Sequence, residues 1–84
     1  MTRDEIFNII KNHSCEVIPE LVSHQFLPHD RLTDLGANSV DRAEIVMMTL
    51  EALDLQIPPA ELSAVRNIGE LAEMLYQRLQ KSLF

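Results

Sequence analysis

Three helix-start signals, each followed by apolar residues at helical spacing, restrict this chain to a small helical bundle. Thr2-Arg3-Asp4-Glu5 reads as a capping box, in which the Thr2 hydroxyl accepts from a first-turn amide and Glu5 reaches back to the Thr2 amide. Ile6, Ile9, Ile10, Val17 and Leu21 follow on one helical face. Pro19 disfavours helical geometry at Ile18, so the first helix is expected to end or bend near Glu16, with another helical turn from Pro19 to Val22. Asn38, a strong cap type, predicts a second helix from Ser39 to about Leu53, with Ala43, Val46, Leu50 and Leu53 on one stripe and Ile45 beside it. Pro59 suits the first position of a short helix through about Ala64. Asn67-Ile68-Gly69-Glu70 is a box-like cap for a last helix whose Ile68, Leu71, Leu75 and Leu79 face the core. Nothing alternates with period two for long enough to make a strand. The expected fold is therefore all-α, a small four-helix bundle with three longer helices plus a short third one.

The stretch between His24 and Asn38 is a long loop, and its Phe26, Leu27, Leu32 and Leu35 are expected to pack inward and keep it ordered. At 84 residues and 46% hydrophobic, residues 1–84 are expected to form one domain, with a single small core and no enclosed active site of its own. That counts against an enzyme. A net charge of −6 makes nucleic acid and anionic membranes poor partners and favours proteins with basic docking patches. The apolar runs are short and broken by charges, without a signal peptide or spanning segment, which predicts a cytoplasmic protein. Cys15 is expected to be a small packing residue, and His13, His24 and His29 are too scattered for a zinc site. No metal is expected.

The chemistry concentrates in Asp34-Leu35-Gly36-Ala37-Asn38-Ser39-Val40-Asp41. Gly36 permits a positive φ, Asn38 caps the helix, and Asp41 falls in the first turn, where a negative charge suits the helix dipole. Ser39 then stands exposed beside unpaired amide donors, which suits a hydroxyl that carries a phosphodiester. The bland alternative is a solvent-exposed serine in a plain helix cap.

This run resembles the 4′-phosphopantetheine attachment site of acyl carrier proteins, whose usual pattern is Leu-Gly-Ala/Gly-Asp-Ser-Leu/Ile/Val. The likeness continues through the acidic, apolar helix Val40-Asp41-Arg42-Ala43-Glu44-Ile45-Val46-Met47, through Leu55-Gln56-Ile57-Pro58, and through Leu62 to Leu71. The resemblance implies a four-helix bundle of acyl carrier type that catalyses nothing itself. It implies that Ser39 Oγ accepts phosphopantetheine from coenzyme A, delivered by a separate Mg²⁺-dependent phosphopantetheinyl transferase. It further implies that Asp41, Glu44 and Glu51 are acidic recognition positions for partner enzymes, and that Val40 and Met47 are exposed apolar positions of the same face. Met48 is either a second soft docking contact or a core residue. Two positions depart from the common pattern. Asn38 replaces the usual aspartate, which keeps the cap but removes a carboxylate near the transferase's metal and coenzyme, so slower or more selective loading is expected. Arg42 stands where many carriers are neutral, as a specificity element or as an intrahelical partner for nearby acids.

Within the family, Gly36 to Arg42 looks most like the free-standing donor carriers of polyketide β-branching cassettes, in antibiotic-type biosynthesis. The start at Met1 and the end just past the last helix suit such a discrete protein, which is expected to be a monomer. The resemblance implies loading with malonyl through a malonyl acyltransferase and decarboxylation to acetyl by a decarboxylating ketosynthase-like enzyme. The acetyl thioester is then presented to an HMG-CoA-synthase-like enzyme, which condenses it with a β-ketoacyl chain on another carrier. The neighbouring reading is a carrier for fatty acid synthesis or for another acyl or aminoacyl starter. The reading from another class is an unmodified helical adaptor that binds partners through the same acidic helix and does not need Ser39.

Overall fold

The computed structural model describes residues 1–81, which form four α-helices: α1 (Arg3–Val17), α2 (Ser39–Leu53), α3 (Pro59–Leu62) and α4 (Ile68–Lys81), with a 3-10 turn at Pro19–Ser23 after α1. The cap signals act as the sequence predicts. Glu5 N donates to Thr2 Oγ1 at 3.1 Å while Thr2 N donates to Glu5 Oε1 at 2.9 Å, which closes the box at the start of α1. Glu5 is held below the usual carboxylate range by those bonds to Thr2. At the other end, Ile18 N donates to Ser14 O and Pro19 opens the 3-10 turn.

Helix α1 packs against both α2 and α4. Their shared core is built on Ile6 and Ile10 of α1, Ile45 of α2, and Ile68 and Leu75 of α4, all essentially inaccessible to solvent. Burying an aliphatic side chain of this size contributes about 1.5–3 kcal/mol, so each of these five positions adds substantially to stability. Two hydroxyls share the core. Ser14 Oγ donates to Ile10 O at 2.7 Å, and Thr49 Oγ1 donates to Ile45 O at 2.8 Å. With its one proton committed, Thr49 Oγ1 is left to accept from His13 Nδ1 at 2.9 Å, which places the proton on Nδ1 of that ring. Cys15 is half-buried against the same core.

The face that α2 buries differs from the stripe expected from the sequence. Ile45, Thr49 and Leu53 are its buried residues, Val46 and Leu50 are half-buried, and Ala43 is exposed. Apolar side chains surround most of α2, so periodicity alone does not select a face. The pairing with α1 selects it, and Thr49 qualifies because its hydroxyl is satisfied twice. Helix α3 also ends earlier than expected, at Leu62 and not near Ala64.

The long loop is ordered, as its apolar residues predict: Phe26 is buried, and Leu32 and Leu35 pack against the core. Leu27 departs from the expectation, being 42% exposed. Asp30 organises this stretch. Its Oδ2 accepts from Leu27 N at 2.8 Å and bonds His24 Nε2 at 2.9 Å, while its backbone O accepts from Ile68 N at 2.9 Å. The Leu27 amide first, and His24 second, hold the Asp30 carboxyl below the usual carboxylate range. A carboxylate with a depressed native pKa stabilises the fold above its unfolded value, and that contribution disappears as pH falls through the native value. Urea midpoints are therefore expected to fall as pH drops below the ordinary carboxylate range, and Asp30→Asn is expected to flatten that fall. Superimposable pH profiles for the two proteins would count against the role given to Asp30.

Two ion pairs brace the outside: Arg3 with Glu73 between α1 and α4, and Arg78 with Glu61 between α4 and α3. The Arg3 guanidinium also lies 4.4 Å from the Tyr76 ring centroid. Among the described residues no helix is long and apolar enough to cross a membrane.

Candidate functional site

The candidate site is the turn that delivers the long loop into α2. Leu35 N, Gly36 N and Ala37 N fold back on the Arg31, Leu32 and Thr33 carbonyls at 3.0–3.2 Å, which makes a compact turn. Gly36 adopts φ +98, a conformation that costs a side-chain-bearing residue about 1–2 kcal/mol, although its missing Cβ faces open space. The backbone angle therefore requires the glycine, and crowding does not. Ala37 is buried and anchors the turn to the domain.

Asn38 caps α2 in extended conformation. Its Oδ1 accepts from Asp41 N at 2.8 Å, and Asp41 Oδ2 accepts from Asn38 N at 3.2 Å. The pattern Asn-x-x-Asp was legible as a capping box, but the sequence reading assigned only the cap to Asn38 and the helix dipole to Asp41. One oxygen of the Asp41 carboxylate is thus committed to the fold. Ser39 follows as the first residue of the helix. It is exposed, and its hydroxyl has no hydrogen-bond partner among the described residues. The Ser39 and Val40 amides are likewise unpartnered, because the cap side chain serves Asp41 N and the Asn38 carbonyl serves Arg42 N. A free primary hydroxyl beside two outward amides fits a phosphodiester, whose charge the amides and the helix dipole both favour.

The solvent face of α2 carries Val40, Glu44, Met47 and Glu51, all exposed, in one line at spacings of four, three and four residues. Val40 is 71% and Met47 59% exposed. Neither Glu44 nor Glu51 has an ion-pair partner among the described residues. The structure therefore brings four of the seven expected docking positions into one stripe that alternates apolar and acidic groups. Asp41, Arg42 and Met48 are half-buried beside it.

Arg42 is no intrahelical partner for an acid. Its Nη1 donates to Ala37 O at 2.9 Å, tying the first turn of α2 to the turn in front of it. Its side chain also lies where two concavities meet. An apolar groove of about 910 Å³ between α2 and α3 is lined by Val46, Met47, Leu50, Ile57 and Leu62 among others. Beyond Arg42 a smaller pocket of about 460 Å³ opens against the loop and the start of α4, and Arg31 and Arg66 line it too. Those two arginines were absent from the sequence reading, and no motif spacing points to them, because 31, 42 and 66 lie on separate elements.

The family profile described as "phosphopantetheine attachment site" matches residues 10–75. The chain is 55% identical over 82 residues to the polyketide biosynthesis acyl-carrier-protein AcpK of Bacillus subtilis (strain 168), covering 98% of this chain and 100% of that protein. It is 30% identical over 50 residues to an acyl carrier protein of Clostridium perfringens (strain 13 / Type A), covering 60% of this chain and 66% of that protein. Among solved structures it matches the crystal structure of the curacin biosynthetic pathway HMG synthase in complex with acetyl donor-ACP. There the TM-score is 0.82 and the identity 46%, over 90% of this chain and 96% of that one.

Proposed function

The chain belongs to the acyl carrier protein family, whose members carry 4′-phosphopantetheine and have no catalytic activity of their own, and on that premise we propose that Ser39 Oγ holds the arm and that the cargo is a short acyl group in polyketide β-branching. The observation that carries the reading is Ser39 itself, a free hydroxyl on the first residue of α2, flanked by two unpartnered amides and followed by an exposed stripe. When bound, the arm supplies a terminal thiol that holds the acyl group as a thioester.

This chain's residues do the rest. Gly36, Ala37 and the Asn38–Asp41 capping box fix the position of the Ser39 hydroxyl, so a transferase meets it in one orientation. Val40 and Met47 offer apolar contact, and Met47 adapts to more than one partner surface. Glu44 and Glu51 attract basic docking patches, which raises the encounter rate more than the affinity. The proposed partners are a phosphopantetheinyl transferase, a malonyl acyltransferase, a decarboxylating ketosynthase-like enzyme and an HMG-CoA-synthase-like enzyme. The relative seen in complex with an HMG synthase supports the last of these. All act in the cytoplasm under this reading.

The test is transfer. Protein loaded from acetyl-coenzyme A by a transferase is mixed with an HMG-CoA-synthase-like enzyme of a β-branching cassette, and acetylation of the synthase is followed by intact mass. Wild type is expected to hand over its acetyl group. Glu44→Lys and Glu51→Lys are expected to slow transfer about tenfold at low salt, with the gap narrowing as ionic strength rises. A carrier that loads but transfers nothing would remove the β-branching donor role, and charge-reversed variants with unchanged rates would remove the docking stripe.

A further inference from the structure

Three of the seven lysines and arginines of this acidic chain line one pocket. Arg31 comes from the loop, Arg42 from α2 and Arg66 from the segment before α4, and they surround a cavity of about 460 Å³ with Val46, Leu62 and Leu71 behind them. These guanidiniums are little used by the fold. Arg31 has no ion-pair partner among the described residues. Arg42 spends one donor on Ala37 O. Arg66 meets only Glu70, 3.4 Å away and on the same stretch of chain, in an exposed pair of the kind that contributes about 0–1 kcal/mol. Three cations line this pocket and Glu70 is the one ion-pair partner among them in the described residues, so the pocket carries a positive excess that favours an anion. Each guanidinium presents a planar fork of donors that matches a carboxylate.

We propose that this pocket binds the free carboxylate of a dicarboxylic half-thioester of malonyl size carried on Ser39. The proposal rests on the carrier reading above and names the cargo it selects. Position favours a tethered ligand. Arg42 lies one turn of α2 beyond Ser39, donates to Ala37 O in the turn before it, and lines the pocket, so the Arg42 side of the pocket adjoins that turn. A tether raises the local concentration of the carboxylate enough that contacts too weak to capture free malonate hold it there. Acetyl, lacking the carboxylate, has nothing for the guanidiniums to grip. The pocket thereby distinguishes the carboxylated cargo from the decarboxylated one within the carrier itself, keeping the first against the domain and leaving the second free to leave with the arm.

The experiment loads three samples by phosphopantetheinyl transferase, from coenzyme A, acetyl-coenzyme A and malonyl-coenzyme A. Intact mass verifies each, and Tm and the ¹H–¹⁵N signals of the arginine Nε–H groups are recorded. The malonyl form is expected to shift the Arg31, Arg42 and Arg66 signals and to melt about 4 °C above the acetyl form, a difference that shrinks with salt. The acetyl form is expected to match the cargo-free arm. Arg31→Gln combined with Arg66→Gln is expected to take up the arm as before and to lose the difference between malonyl and acetyl. Identical malonyl and acetyl forms overturn the proposal, as does a difference that survives the double substitution. Arginine shifts of equal size in all three samples overturn it as well, because they assign the pocket to the phosphate of the arm. Absence of any mass gain on Ser39 instead overturns the carrier reading, and the pocket's role with it.

Discussion

Ser39→Ala is expected to take up no phosphopantetheine from coenzyme A with any transferase, while wild type gains one group. The loss is expected to be complete because, among the described residues, no other α-helix opens on a hydroxyl: α1 begins at Arg3, α3 at Pro59 and α4 at Ile68. Ser14 and Thr49 are buried and donate to helix carbonyls, and Ser63 Oγ donates to Ala60 O at 2.8 Å. The substitution leaves the fold nearly untouched. Ser39 is exposed, its hydroxyl has no partner among the described residues, and the cap of α2 belongs to Asn38 and Asp41. Alanine is also the better helix former, so stability is expected to stay within about 0.5 kcal/mol of wild type. An unloaded yet fully folded protein separates a carrier from a helical adaptor, which would keep its partner interactions without the serine. A mass gain that persists in Ser39→Ala would place the arm elsewhere and remove the site described here.

Gly69→Ala is expected to lower Tm by about 10 °C. The start of α4 is pressed against the loop, where Gly69 N donates to Pro28 O at 2.8 Å and Ile68 N donates to Asp30 O at 2.9 Å. A Cβ at Gly69 would stand 2.8 Å from Pro28 O and 2.9 Å from Pro28 Cβ. Backbone atoms cannot swing aside as a side-chain tip does, so the loop and α4 have to separate. Overpacking of this kind costs about 1–3 kcal/mol, and each kcal/mol is worth about 4–8 °C in a domain of this size. Propensity argues in the opposite direction, because alanine favours a helix over glycine by about 1 kcal/mol. The sign of the change is therefore informative. A drop in Tm, with faster hydrogen exchange at the Ile68 and Gly69 amides, supports the close contact; an unchanged or higher Tm would show that the loop yields without cost.

The two substitutions act on opposite ends of one device. Backbone bonds from α4 hold the loop at Pro28 and Asp30, the loop closes into the Gly36 turn, and the turn delivers Ser39 to the head of α2. A carrier whose attachment residue must meet several enzymes needs that residue in a fixed place on the domain, while the arm itself supplies the reach.

Helix starts were legible because capping is local: Thr2 with Glu5, Asn38 with Asp41, and Asn67 with Glu70 each close a bond across three residues. The Gly36 turn and the exposure of Ser39 follow from the same short range, since a positive φ and a first-turn position involve few neighbours. Val40, Glu44, Met47 and Glu51 were expected from the family resemblance, and the structure sets them in one exposed line along α2. Which other face of α2 turns inward was not available, because a helix with apolar groups on most sides can pack in several ways. Contact with α1 decided it, burying Thr49 under His13 and leaving Ala43 outside. Nor does any spacing in the chain relate Arg31, Arg42 and Arg66, or Gly69 to Pro28. Local hydrogen bonds and backbone angles let the sequence by itself determine where helices begin and where the serine stands, whereas side chains from separate elements share a cavity or a close contact only after the whole bundle has packed.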